Sequence, residues 1–327
     1  MKRYLVTGGA GFIGSNLADH LISLGHGVRV LDDLSTGKRG NLQAGIELIE
    51  GSAANLEVVR SAAGGCDGIF HLAAIASVTM SLEQRVSTHV VNQTATVACL
   101  EAARLEGDIP LVLASSAAIY GDQQPCSEML KPAPLSPYGA DKAGSELHLL
   151  AGWHSFGQPS AALRFFNVFG PRQDPASPYS GVISAFLGRA TAGCPLAIHG
   201  DGLQTRDFIF VADVVRHLEG AMARLHGEKT QFTCNVCTGR SVTIRELAET
   251  IGQIVGGVEI RHESGRAGDI RHSQGDPTVA RSLLGISATT SLRDGLSATR
   301  DWMVQDKPNH AGGTVSKGVR SDANSSV

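Results

Sequence analysis

The chain has 327 residues, 42% of them hydrophobic and 18% charged, with a formal net charge of −3. That balance suits a globular protein with one large core or two ordinary ones, and gives no electrostatic case for nucleic acid or an anionic membrane as partner. No apolar run approaches the roughly eighteen residues of a membrane span, and Tyr4-Leu5-Val6 reads as a strand rather than a secretion signal, so a cytoplasmic location is expected.

Apolar runs at Tyr4–Thr7, Val28–Leu31, Ile46–Glu50, Ile69–Leu72 and Leu111–Ala114 read as strands. Phe12–Leu24 and Thr88–Leu105 read as amphipathic helices. Strands alternating with helices predict an α/β fold with a doubly wound parallel sheet, which binds ligands at the carboxyl ends of its strands. Gly170-Pro171, Asp174-Pro175 and Ser177-Pro178 mark a long loop over 170–181. Helical patterns follow at Val182–Ala192, Ala212–Leu225, Thr243–Val255 and Pro277–Leu284. Phe208–Val211 and Phe232–Val236 are strand-like and are candidates to return to the large sheet. The expected layout is a nucleotide-binding domain over 1–166 with returning segments about 208–236. A smaller discontinuous α/β substrate domain takes 167–207 and 237–305. Residues 306–327 are polar and aperiodic, the composition of a disordered tail.

Of the six cysteines only Cys234 and Cys237 have suggestive spacing. One C-x-x-C supplies two ligands with no second pair nearby, so no metal site is expected.

Thr7-Gly8-Gly9-Ala10-Gly11-Phe12-Ile13-Gly14 follows a strand and opens a helix. The glycines allow a tight turn and close backbone approach to a pyrophosphate, and the helix start offers free N–H groups. Asp32 ends the second strand, where a carboxylate accepts from the adenosine ribose hydroxyls and repels the extra phosphate of NADP. The expected cofactor is therefore NAD on a Rossmann-type sheet. Lys38 and Arg39 nearby keep NADP as the lesser alternative.

Tyr138 and Lys142 are four apart, so on a helix they share a face. An ordinary phenol is a poor base at neutral pH, and a nearby ammonium together with the positive nicotinamide ring would favour the phenolate. Ser115-Ser116 ends the preceding strand of the sheet, where a hydroxyl can orient a substrate oxygen. Taken alone, Tyr138 and Lys142 would be an ordinary surface pair; the glycine turn and the strand-end serines make them a candidate site.

With these segments together the chain resembles the extended short-chain dehydrogenase/reductases, in their nucleotide-sugar 4-epimerase branch, from about residue 3 to 303. The resemblance is carried by Thr7–Gly14, His71-Leu72-Ala73-Ala74, Asn92, Ser115–Gly121, Tyr138 to Lys142, Arg164–Arg172, Gly200-Asp201-Gly202 and Arg206-Asp207-Phe208. It implies that Ser116, Tyr138 and Lys142 are catalytic. It implies NAD contacts from Gly8, Gly11, Phe12, Ile13, Gly14, Asp32, Ser52, Ala53, Leu72, Ala73, Ala74, Asn92, Tyr138, Lys142 and Val168. It implies a UDP-sugar substrate held by Ser77, Ser116, Ala117, Tyr138, Asn167, Val182, Arg206, Arg266, Asp269 and Ser273, and a homodimer built on the helices Thr88–Leu105 and Tyr138–Phe156.

Related dehydratases place an Asp-Glu pair after the active hydroxyl residue, and related decarboxylases place a Glu there. Here Ala117 and Ala118 stand instead, and methyl groups move no protons. That favours a 4-epimerase. Ser273 aligns with the wall of the hexose 2-substituent, where a serine leaves room for an acetamido group. The expected substrates are UDP-GlcNAc and UDP-GalNAc, with UDP-Glc and UDP-Gal as further candidates. Rival readings are a UDP-glucuronate 4-epimerase, with Arg172 or Arg85 as the cation, a nucleotide-sugar reductase or dehydrogenase, and a non-enzymatic NAD sensor. The chain departs from the family at Ser52-Ala53, where an acid usually holds adenine, and at Cys237, usually glycine.

Overall fold

The computed structural model describes residues 1–175, 181–265 and 270–305. Outside them lie Arg266, Asp269, the middle of the Pro-rich loop and the stretch from 306.

The large sheet is parallel and seven-stranded. Its strands are β1 (Arg3–Thr7), β2 (Gly27–Asp32), β3 (Glu47–Glu50), β4 (Gly68–His71), β5 (Leu111–Ser116), β6 (Ser160–Phe165) and, beyond β6, Gln231–Val236. The spatial order runs from Gln231–Val236 through β6, β5, β4, β1 and β2 to β3. Order reverses between β1 and β4, which opens a crevice at the carboxyl ends of those two strands.

Alternation along the strands divides two cores. Tyr4, Val6, Phe70, Val112 and Leu163 face one side, packed by helix α1 (Phe12–Ser23) and the helix Val211–Gly227. Leu5, Ile69, Leu111 and Leu113 face the other, against Val59, Cys99, Ala102 and Leu149 of three further helices. Successive side chains of a strand point to opposite faces, so one run of apolar residues feeds both layers. A third cluster gathers Phe169, Phe186, Leu187, Ile198, Leu247 and Leu296.

Of the two segments expected to return to the large sheet, Gln231–Val236 joins it beside β6, whereas Phe208–Phe210 pairs with Asn167–Phe169 in a separate two-stranded sheet. The helix expected over Thr88–Leu105 is present, within a helical run that begins at Arg85. A π turn at Val90–Thr94 separates Arg85–His89 from Ala95–Leu105. The helices Leu56–Ala63, Val78–Glu83 and Leu292–Gln305 lie outside the segments read as helical from the sequence.

A buried polar network ties the sheet to the helix Pro137–Phe156. Ser115 Oγ donates to Glu146 Oε1 at 2.6 Å, and Arg164 Nη2 donates to Glu146 Oε2 at 2.6 Å. Arg164 Nη1 donates to Tyr120 Oη at 2.8 Å, and Tyr120 in turn donates to Asn235 Oδ1 at 2.7 Å. Asn235 Nδ2 donates to the Cys126 and Asp276 carbonyls. Removing one member leaves buried partners unsatisfied, so Asn235→Ala should cost about 3 kcal/mol of unfolding free energy. Urea denaturation with an unchanged slope and a lower midpoint would show it.

Candidate active site

The helix Pro137–Phe156 starts where its sequence says it should. Ser136 Oγ accepts from Gly139 N at 3.1 Å, Pro137 fills the first position, and Gly157 ends the helix in the left-handed region at φ 67°. Tyr138 thus lies in the first turn and Lys142 one turn later, both facing the end of β5. Lys142 Nζ donates to the Ala114 carbonyl at 2.8 Å and lies 6.0 Å from the centre of the Tyr138 ring. Ser116 lines the crevice with Tyr138, and its Oγ accepts from Ala118 N at 3.1 Å.

These three side chains line the same crevice, of about 420 Å³, as the glycine turn. Gly8 has φ 67°, and a Cβ there would stand 2.6 Å from Ala73 N; one on Gly14 would stand 2.2 Å from the Gly8 carbonyl. Backbone is packed on backbone, and only glycine permits it. No side chain caps α1, so the first amides of the helix are left to a ligand. Asp32 is held in place by Ala10 N and Leu34 N, each at 2.9 Å. Its carboxylate keeps lone pairs for ribose hydroxyls. The turn, the free helix start and the placed carboxylate fit a dinucleotide. Held there, NAD would rest on Gly8–Gly14 and Asp32, with its nicotinamide end toward Tyr138 and Lys142.

Of the expected NAD contacts, Gly8, Gly11, Phe12, Ile13, Gly14, Asp32, Ser52, Ala53, Leu72, Ala73, Ala74, Tyr138, Lys142 and Val168 line the crevice. Asn92 does not. Its side chain is fully buried and holds the main chain of Ile75, accepting from Ile75 N at 2.8 Å. Asn92 thus supports the main chain of Ile75, which lines the crevice. Of the expected sugar-nucleotide contacts, Ser116, Tyr138 and Asn167 line the crevice. Ser77, Ala117, Val182, Arg206 and Ser273 lie outside its lining. The Ser77 hydroxyl caps the helix Val78–Glu83, and Ser273 N and Arg206 Nη1 both donate to the Thr205 carbonyl. Arg266 and Asp269 lie outside the described residues. Asp33, Ser35, Thr36, Ile75 and Gln173 also line the crevice; they follow strand ends, and that position was the available signal.

Neither cation named for a uronate carboxylate reaches the crevice lining. Arg172 pairs with Asp19 of α1 at 2.6 Å, and Arg85 is exposed at the start of its helix. Among the described residues no group of side chains could hold a metal ion, and no helix is long and apolar enough to cross a membrane. Cys234 and Cys237 are buried, and burial pushes both thiols well up from their ordinary values.

Burial raises the Tyr138 phenol above its usual value, and Ser116 opposes that rise. Burial pushes the Lys142 amine down to about 8, against the pull of Asp141 and Glu146. His71, whose Nδ1 is 2.7 Å from Thr7 Oγ1, is pushed down to about 3 by burial and then by Lys142, so it stays neutral and serves as a structural link.

The fold and site define a dinucleotide-binding enzyme with a serine–tyrosine–lysine centre. Residues 4–237 match the NAD dependent epimerase/dehydratase family. The chain is 38% identical over 307 residues to a UDP-glucose 4-epimerase of Mycolicibacterium smegmatis, covering 91% of this chain and 97% of that one. Its structure is similar to that of the UDP-glucose 4-epimerase of Thermotoga maritima, with a TM-score of 0.89, 35% identity, and coverage of 93% and 99%. It is also similar to a UDP-N-acetylglucosamine 4-epimerase of Methanobrevibacter ruminantium, with a TM-score of 0.88, 32% identity, and coverage of 93% and 99%. The chain belongs to the NAD dependent epimerase/dehydratase family, and NAD is its cofactor.

The lowered Lys142 amine gives a pH prediction. Between pH 8 and 10.5 the unfolded chain keeps a proton on Lys142 that the folded chain has lost, so this residue makes stability rise with pH across that window. Lys142→Met removes the linkage. The NAD-free wild type should therefore gain on the variant between pH 7.5 and 10 by up to about 3 kcal/mol, read from paired urea titrations.

Proposed function

We propose that this protein is a UDP-hexose 4-epimerase whose principal substrates are UDP-GlcNAc and UDP-GalNAc, with UDP-Glc and UDP-Gal also accepted. One observation carries the reaction type. Asp32 and Asp33 are the only carboxylates among the described lining residues, and they lie at the end of β2 and just after it, at the adenosine end. At the reacting end Ala117 and Ala118 form the turn after Ser116. Elimination of water across C5 and C6 needs a further acid and base. Reversible oxidation at one carbon needs only Tyr138, Ser116 and Lys142.

NAD, when bound, accepts a hydride from C4 of the sugar and returns it. Tyr138, as the phenolate, takes the proton from the C4 hydroxyl. Ser116 hydrogen-bonds the same oxygen and holds the carbon at the crevice floor. Lys142 keeps a positive charge beside the ring and binds the nicotinamide ribose. The 4-keto sugar turns over within the site, and Tyr138 gives the proton back on the new face. Asn167, Arg206 and Arg266 hold the diphosphate, and Asp269 the uridine ribose. Val182, Ser77 and Ala117 complete the sugar-nucleotide pocket.

The acetamido reading rests on Ser273, a small side chain beside Thr205 and Arg206, and is supported by the UDP-N-acetylglucosamine 4-epimerase among the similar structures. Exposed Val90, Leu147 and Phe156, at 40%, 62% and 62%, lie on the helices expected to pair in a homodimer. Six unpaired cysteines suit the cytoplasm.

Incubation with UDP-GlcNAc and with UDP-Glc, followed by separation of the C4 epimers, tests the reading. Turnover of UDP-Glc with none of UDP-GlcNAc would overturn the substrate assignment, and accumulation of NADH would point instead to a dehydrogenase. Tyr138→Phe should lower kcat by roughly 10³-fold with NAD binding retained. Ser273→Tyr should abolish turnover of N-acetylated sugars and spare UDP-Glc; an unchanged ratio would rule out the gate.

A further inference from the structure

We propose that two ion pairs, Lys38–Asp174 and Arg172–Asp19, form a clasp that closes the crevice over NAD and makes it a retained cofactor. The inference rests on NAD binding at the glycine turn and not on the identity of the sugar.

After Asn167–Phe169 the chain turns at Gly170 and runs through 171–175 across the outside of α1. Three contacts fasten it there. Asn16 Nδ2 donates to the Pro171 carbonyl at 3.1 Å, and Arg172 Nη2 donates to Asp19 Oδ2 at 2.6 Å. Asn16 and Asp19 belong to α1, about one and two turns beyond Phe12, which lines the crevice. At the far end of the strap, Lys38 Nζ pairs with Asp174 Oδ2 at 2.7 Å. Lys38 is itself anchored on the glycine turn, its backbone N donating to the Ala10 carbonyl at 3.0 Å. Between the two ion pairs lies Gln173, which lines the crevice and accepts from Ser184 Oγ. The strap therefore joins the wall carrying Gln173 to the wall carrying Gly8–Gly14 and Asp32. A cofactor lying along Gly11 and Phe12 is enclosed between them.

Two features mark the strap as held rather than merely packed. Arg172 has φ 72°, a left-handed conformation that a side chain with a Cβ rarely adopts, and its ion pair with Asp19 keeps it there. Its Nη1 is buried with no hydrogen-bond partner, and its Nη2 is held by Asp19. The clasp residues are also partly exposed. Side chains of Lys38 and Asp174 are 46% and 34% accessible, and those of Arg172 and Asp19 are 24% and 26%. Ion pairs of that kind add little to global stability and weaken with salt. Their effect should fall on opening of the crevice, which breaks them, and not on unfolding.

The test is the rate at which NAD leaves the loaded protein, measured after rapid dilution by enzymatic assay of free NAD. Lys38→Asp and Asp174→Lys should each speed release about fivefold, and Lys38→Asp combined with Asp174→Lys should restore the wild-type rate. Combining Asp174→Ala with Asp19→Ala should raise release by more than about tenfold. High salt should speed release from the wild type and leave the doubly cut variant unmoved. Unfolding midpoints of the NAD-free proteins should stay together. Wild-type release rates in the single charge reversals, or faster release that the swapped pair does not restore, would overturn the clasp while leaving the epimerase reading intact. An unaltered protein that binds no NAD would overturn the clasp together with the cofactor assignment.

Discussion

Lys142 is 1% exposed, and its ammonium donates to the Ala114 carbonyl at 2.8 Å. Taking such a charge out of water is expensive unless neighbouring groups compensate for it. Here two carboxylates do so from the same helix, Asp141 beside it and Glu146 one turn on. Each is fixed in turn. His89 Nδ1 lies 2.7 Å from Asp141 Oδ1, and Arg164 with Ser115 holds Glu146. The helix Pro137–Phe156 cannot slide along β5 without unpairing this set. Tyr138 and Ser116 are brought together by that constraint, so the charge that weakens the fold also sets the geometry of the site.

The other half of the crevice is set by backbone contact rather than charge. Gly8 meets the start of the segment after β4 so closely that no Cβ fits, and Thr7 reaches across to His71. Because His71 is held neutral by burial, that link carries no charge into the site and does not compete with Lys142. Asn92 adds the last support from a π turn, gripping Ile75. The wall on which NAD rests is thus rigid from three directions.

This division explains what could be read in advance. The sheet was legible because alternation in β1, β4 and β5 feeds two buried faces, a signal contained in a few adjacent residues. The glycine turn and the pair Tyr138/Lys142 were legible because their spacing is local too. The partner of Phe208–Phe210 was not, since a three-residue strand has too little pattern to choose between sheets. Nor were the partners of Asn92 and Arg172. Each depends on a contact with a residue 17 or 153 positions away, which no local pattern records. The long-range ion pairs of the strap fall in the same class. The burial that raises the Tyr138 phenol is likewise a property of the folded chain.

Ser116 shows how the reaction type could follow from so small a change in sequence. Its oxygen accepts from Ala118 N, and Ser116 lowers the Tyr138 phenol against the effect of burial. A hydroxyl has one proton to give. On the epimerase reading, once Tyr138 has taken the sugar's proton the Ser116 proton is released from stabilising the phenolate and can turn to the new keto oxygen. That exchange needs no third group. An acid at position 117 or 118 would add a second proton source within the same turn and open the way to elimination. With alanines there, the proton has only one route, between Tyr138 and the C4 oxygen, and the sugar leaves with the composition it had on entry.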